Sequence, residues 1–113
     1  VASEQLAGGK LILDSPAEAV VRITISNPER RNALDHEILD TLAETLPRLD
    51  SGIENRCVLI TGAPPVFSAG YDIGSIPEQT FERDAESLVA HPFHAAMEAL
   101  AAHPWPTLAM ING

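Results

Sequence analysis

Apolar and polar positions alternate along Val20-Val21-Arg22-Ile23-Thr24-Ile25: Val21, Ile23 and Ile25 fall on one side, Arg22 and Thr24 on the other. That period of two is the pattern of a half-buried strand. Leu11–Ser15 reads as a strand before it, and Ser15-Pro16-Ala17-Glu18 supplies the proline and polar residues of a turn, so a hairpin is predicted. Asn27-Pro28 ends the second strand, and the period then changes. Ile38, Leu39, Leu42, Leu46 and Leu49 recur at helical spacing behind Asp35, a good N-cap, with Glu37 in the first turn where the helix dipole favours negative charge. Pro47 lacks an N–H and is expected to kink this amphipathic helix or end its regular part near Leu46, with Asp50-Ser51-Gly52 closing the element. Cys57–Gly62 reads as a buried strand that feeds a small-residue turn at Val66–Ile73. Beyond a loop at Gly74–Pro77, a solvent-facing helix is predicted over Phe81–Ala90, broken by Pro92. A second helical stripe follows at Phe93, Ala96, Met97 and Leu100, and His103-Pro104-Trp105-Pro106 leads extended into a buried strand at Thr107–Ile111. Strands alternating with helices imply an α/β fold.

Composition narrows this picture. A chain of 113 residues with 45% apolar residues suits one small globular domain, without repeats or an interdomain linker. A strand that ends buried at the last residues suggests that the domain's core is completed by further chain. The net charge of −9, with only 7 Lys and Arg, argues against general nucleic-acid binding, which needs clustered cations on phosphates. It leaves room for a small phosphate-bearing ligand at the one basic pair, Arg30-Arg31, which read alone is equally a solvated turn. The single cysteine, Cys57, has no internal disulfide partner and sits in a strand, which points to a buried thiol in a reducing compartment. No apolar run approaches the roughly 20 residues that span a bilayer, and the N-terminus lacks a signal pattern. A cytoplasmic protein without membrane association is expected. His91 and His94 are spaced i, i+3, but Pro92 lies between them, and no metal site is read there.

Two motifs carry the chemistry. Val66-Phe67-Ser68-Ala69-Gly70-Tyr71-Asp72-Ile73 runs into a small-residue turn able to aim a backbone N–H at a carbonyl, and Asn27-Pro28-Glu29-Arg30-Arg31-Asn32-Ala33-Leu34 precedes it. In this order and at this separation they closely resemble the crotonase family, the enoyl-CoA hydratases and isomerases. The resemblance runs from Lys10 to the terminal Ile111-Asn112-Gly113. It implies a crotonase-like (ClpP/crotonase) β/α spiral core, of which residues 1–113 are the N-terminal part, the C-terminal half lying outside this sequence.

The resemblance also implies the chemistry. An acyl-CoA thioester would be bound and its enolate stabilised by two backbone N–H groups, which need no reorganisation as charge develops. Tyr71 would supply the first donor and a glycine beyond Gly113 the second. Arg30, Arg31, Ala33, Ala69, Gly70, Tyr71, Asp72 and Ile73 would contact coenzyme A, which enters as part of the substrate rather than as a tightly bound cofactor. Asp72 reads as a turn-stabilising carboxylate rather than a catalytic one, and Ser68 as a small filler. Glu78, Glu82, Asp84 and Glu86 read as a solvated acidic face, so the general acid and base are expected after Gly113. Hydration or isomerisation of an enoyl-CoA is the leading expectation. Tyr71, where the family commonly has alanine, keeps a methylmalonyl-CoA decarboxylase-like activity open, and a complete 113-residue protein would instead suggest a non-catalytic binding or assembly module. Family resemblance further implies a homo-oligomer, a trimer or dimer of trimers.

Overall fold

Among the described residues, five strands form one mixed sheet in the order β1-β2-β3-β4-β5, with two helices packed on one face. In this computed structural model the described residues are 3–49, 56–72, 78–85, 87 and 90–113. β1 (Glu4–Leu6), β2 (Leu11–Ala17) and β3 (Val20–Ile25) are antiparallel; β4 (Cys57–Gly62) and β5 (Thr107–Met110) continue the sheet in parallel. The helices are α1 (His36–Leu49), the short α2 (Phe81–Ala85) and α3 (His91–Ala102). A parallel step from β3 to β4 needs a crossover, which α1 provides.

The hairpin forms, but its turn lies further along than expected. β2 runs through Pro16 to Ala17, and the chain reverses at Glu18-Ala19, with Ala19 at φ 63°. The register shifts between Asp14 and Ala17, and the Ser15 hydroxyl sits 2.7 Å from the Val20 carbonyl oxygen. Such a bulge accommodates a proline that a regular ladder would reject.

Asp35 caps α1 as its position predicts: one carboxylate oxygen accepts the Ile38 N–H at 2.8 Å, while the other lies 2.6 Å from Lys10 Nζ. Glu37 holds the same ammonium at 2.7 Å. Burial works against the Lys10 charge, but hydrogen bonds and attraction from both carboxylates hold its pKa above the ordinary 10.5. The pair ties the start of β2 to the start of α1. Contrary to expectation, Pro47 does not end the helix, which continues to Leu49. Pro47 falls in the last turn with its ring exposed, so only one intrahelical bond is lost, and the buried Leu46 and Leu49 hold the turn in place.

Ile38, Leu39, Leu42, Leu46 and Leu49 pack against Leu11, Val21, Ile23, Ile25 and Val58 of the sheet and Ala96 of α3. The strand register puts Leu11, Ile23, Ile25, Val58 and Ile60 on that one face. Pro92 does not interrupt a helix but stands in the first turn of α3, where a missing N–H costs nothing. Of the helix expected over 81–90, residues 81–85 form α2, and residues 86, 88 and 89 lie outside the described residues, as do the expected loop at 74–77 and the closing segment 50–52.

Two further expectations fail for a shared reason. In β4 only Val58 and Gly62 are buried and Cys57 is half-buried, while Leu108, Met110 and Ile111 at the chain's end are exposed. The helices cover one face of the sheet, and β5 is its edge. No helix among the described residues is long and apolar enough to cross a membrane.

Candidate functional site

The site is built where the loop after β3 meets the loop after β4. Past Ile25, Pro28–Arg30 form a single 3-10 turn, and Arg31 and Asn32 then both adopt left-handed backbone, at φ 53° and 59°. This double reversal brings residues 31–34 alongside residues 66–72. The second loop folds back just as tightly. A Cβ on Gly62 would collide with the Phe67 carbonyl, so only glycine permits the chain to return so close to the end of β4.

The two loops are joined by main-chain bonds. Ala69 N–H donates to Arg31 O at 3.0 Å, Leu34 N–H to Gly70 O at 2.7 Å and Asp72 N–H to Leu34 O at 2.9 Å, the last two forming a parallel bridge between Leu34 and Tyr71. Gly70 N–H donates to the Ser68 hydroxyl at 3.1 Å, and that hydroxyl donates to Asn32 O at 2.8 Å. Residues 69, 70 and 72 therefore spend their N–H groups inside the protein. In an extended bridge successive N–H groups face opposite sides, so the Tyr71 N–H points away from Leu34, and no acceptor meets it among the described residues. Gly70 adopts φ 95°, and a Cβ there would meet nothing within 4 Å, so the requirement for glycine is conformational rather than steric.

The remaining predicted residues gather around this turn with different roles. Asp72 is nearly buried and lies 3.6 Å from the half-exposed Arg30 guanidinium. Arg31 is exposed beside the turn, Ala69 is exposed, and Tyr71 is 46% exposed. Ala33 is buried, and both its backbone groups are engaged, its N–H with Arg30 O and its carbonyl with Asn27 Nδ2. Ile73 lies outside the described residues. The Tyr71 ring packs edge-on against Phe93 of α3, with centroids 4.9 Å apart.

Beneath the turn is an apolar cavity of about 380 Å³. Phe67, Ser68 and Gly70 form its roof, Leu39 and Leu42 of α1 and Phe93, Met97 and Leu100 of α3 its sides, and Ile25, Ile60 and Ala109 its floor on the sheet. Glu78 and Glu82 are exposed, and Asp84 is held below the ordinary carboxylate range chiefly by a hydrogen bond from Thr80 and then by Arg83. His94 pairs with Glu98 at 2.9 Å, and the described residues contain no cluster of three potential metal ligands.

Sequence reasoning missed three polar residues that hold the site. Ser68 is no mere filler, since its hydroxyl links the two loops. Asn32, 1% exposed, places its carboxamide between them. Asn112 pairs with both sides of Gly62, its Nδ2 donating to Gly62 O at 2.7 Å and its Oδ1 facing Gly62 N–H at 3.4 Å. Hydrophobic periodicity is silent on such residues. The signal available for Asn32 was Pro64-Pro65, a turn without donors whose neighbouring carbonyls need one from elsewhere.

Comparison with known proteins places the fold. Residues 16–113 match the family model of enoyl-CoA hydratase/isomerase. Enoyl-CoA hydratase domain-containing protein 3, mitochondrial, of Danio rerio is 29% identical over 106 residues, covering 91% of this chain and 35% of that protein. The 4-chlorobenzoyl coenzyme A dehalogenase-1 of an Arthrobacter species is 34% identical over 98 residues, covering 85% of this chain and 36% of that one. The crystal structure of an enoyl-CoA hydratase from Polaromonas sp. JS666 superposes with a TM-score of 0.79 at 29% identity, over 91% of this chain and 40% of that chain. The chain thus spans little more than a third of the curated relatives' length, and its mixed sheet with two packed helices is part of a crotonase fold. With a family model matched over nearly all its residues, the chain belongs to the enoyl-CoA hydratase/isomerase family, the crotonases.

Proposed function

We propose that this chain provides the thioester-binding turn and first oxyanion donor of an acyl-CoA enzyme, acting most directly as an enoyl-CoA hydratase or isomerase. One observation carries the reading: in the turn 69–72 only the Tyr71 N–H has no acceptor among the described residues. An N–H fixed in direction and left without a partner suits a thioester carbonyl whose oxygen gains charge as an enolate forms. The second donor and the acid and base belong to residues after Gly113. The apolar cavity beneath Gly70 suits the acyl chain. Arg31, and the half-exposed Arg30 beside Asp72, face the phosphates of coenzyme A in an otherwise acidic chain. A homo-oligomer, as crotonase resemblance implies, completes the proposal.

Tyr71 also favours a second reading, decarboxylation of a malonyl-type thioester, because its half-exposed side chain stands at the same turn and its hydroxyl has no hydrogen-bond partner among the described residues. A single set of variants in the product of the complete reading frame tests both. Replacing the Tyr71 amide by an ester deletes only the N–H and should lower kcat on crotonyl-CoA by about 100- to 1,000-fold. Tyr71→Ala keeps the N–H and should cost less than about tenfold, reflecting a lost aromatic contact of about 0.5–1.5 kcal/mol. An ester variant with undiminished turnover refutes the donor assignment. Decarboxylation of methylmalonyl-CoA that collapses in Tyr71→Phe would favour the second reading.

A further inference from the structure

We propose that Asn32 is the positioning residue that sets the aim of the Tyr71 N–H, an inference that rests on the donor role proposed for Tyr71. Its carboxamide is almost fully buried, and all three hydrogen-bonding positions facing the loops are used. Oδ1 accepts the Asn27 N–H at 2.8 Å; Nδ2 donates one hydrogen to Ala63 O at 2.9 Å and the other to Val66 O at 2.8 Å. These two carbonyls bracket Pro64-Pro65, which have no N–H, and the Ala63 N–H is already spent on Ile25 O. Neither the prolines nor Ala63 has a free N–H to offer these carbonyls, and the Asn32 side chain supplies both donors from the other loop.

Only a short primary amide meets that demand. Aspartate would offer no donor and set a negative charge against two carbonyl oxygens, and serine offers one hydrogen where two are needed. Asparagine also tolerates the left-handed backbone at φ 59° that points its side chain inward. Because Asn32 O accepts the Ser68 hydroxyl, which in turn accepts the Gly70 N–H, the same residue holds the segment both before and after Phe67. Asn32 thus holds Ala63 and Val66 through its side chain and Ser68 through its backbone carbonyl, while Arg31 and Leu34 hold Ala69 and Gly70 by main-chain bonds. Asn32 does not line the apolar cavity beneath Gly70, though it borders a smaller one of about 190 Å³ beside Arg31, so an effect on the carbonyl of a bound thioester is transmitted through the turn.

The test uses the product of the complete reading frame, with crotonyl-CoA labelled with carbon-13 at the thioester carbonyl as probe. A donor aimed at that oxygen lowers the carbonyl stretching frequency on binding, which infrared difference spectroscopy reads directly. In Asn32→Ser and Asn32→Asp, kcat should fall by about 10- to 100-fold, the cost of a misplaced group, with KM changed less than about threefold. The frequency shift should shrink in step, and the Tyr71 ester variant should lose it as well. If Asn32→Asp does not fold, Asn32→Ser alone decides. Folded variants that melt at lower temperature yet keep wild-type kcat and the full shift would overturn the inference while the ester variant still upholds the Tyr71 donor. Wild-type protein that binds the probe without any shift would instead overturn the donor role first, and this inference with it.

Discussion

At Gly70 the backbone alone sets the requirement. Its φ of 95° lies in a region that side-chain-bearing L-residues avoid at a cost of roughly 1–3 kcal/mol, while the space around the missing Cβ is open. Gly70→Ala should therefore destabilise by about 1–2 kcal/mol in urea denaturation through conformation and not collision. D-alanine at the same position, introduced by semisynthesis, favours positive φ and should restore the loss. Equal stability of the two alanine enantiomers would show that the turn relaxes away from this geometry. A bulkier Gly70→Val cannot hold the turn and should abolish turnover, since the Gly70 carbonyl and N–H anchor the residues on either side of the Tyr71 donor. Of the site, the tight turn and its glycine were legible in the sequence because small residues before a polar turn state a backbone requirement. Asn32, Ser68 and Asn112 were not, because the partners they tie to other elements lie 31 to 51 residues away and only the fold brings them together.

The hairpin of β2 and β3 carries an acid-sensitive contact between elements. Arg22 grips Asp14 across the strands through two guanidinium nitrogens, and this hydrogen bonding, opposed by burial and aided by charge attraction, holds the Asp14 carboxyl below its ordinary 3.8. A lowered folded-state pKa means the contact stabilises fully above the ordinary value and is lost as pH falls through the lowered one. The pair is partly solvated, so its worth is about 0.2–1 kcal/mol. The melting-temperature gap between wild type and Asp14→Asn should be constant down to about pH 4 and close below it. A gap that persists at pH 2 would assign the effect to packing. The same elements show what patterning conveys. The alternation in β3 and the leucine stripe of α1 were readable because each states its own period and the cap at Asp35 is local. The burial of β4 and β5 was misread because an apolar run records the capacity to be covered, not which face a neighbour covers. Pro47 and Pro92 were read as breaks when they sit in the last and first turns of helices, where a missing N–H matters little.

Across the whole molecule the two faces of the sheet are unequal. Leu59 is paired in register with Leu108, on the face opposite Val58 and Ile60, and Met110 shares that face at the edge of the sheet. Leu108, Met110 and Ile111 are 53%, 46% and 73% exposed. Apolar side chains grouped on an unpaired edge strand favour association, while a net charge of −9 opposes it over distances within a Debye length, about 8 Å at 0.15 M salt. The apolar contact acts at closer range than the screened repulsion, so a polypeptide of these 113 residues should associate reversibly as concentration rises, and more strongly as salt is added. Sedimentation velocity measures this directly, and Leu108→Lys with Met110→Glu should return the species to monomer without altering α1 or α3, which pack on the other face. A wild-type polypeptide that stays monomeric at high salt would mean that the edge is shielded by residues outside those described. Should it associate and the paired substitution leave that association intact, the contact lies elsewhere, and the uncovered face of the sheet is not what draws the chains together.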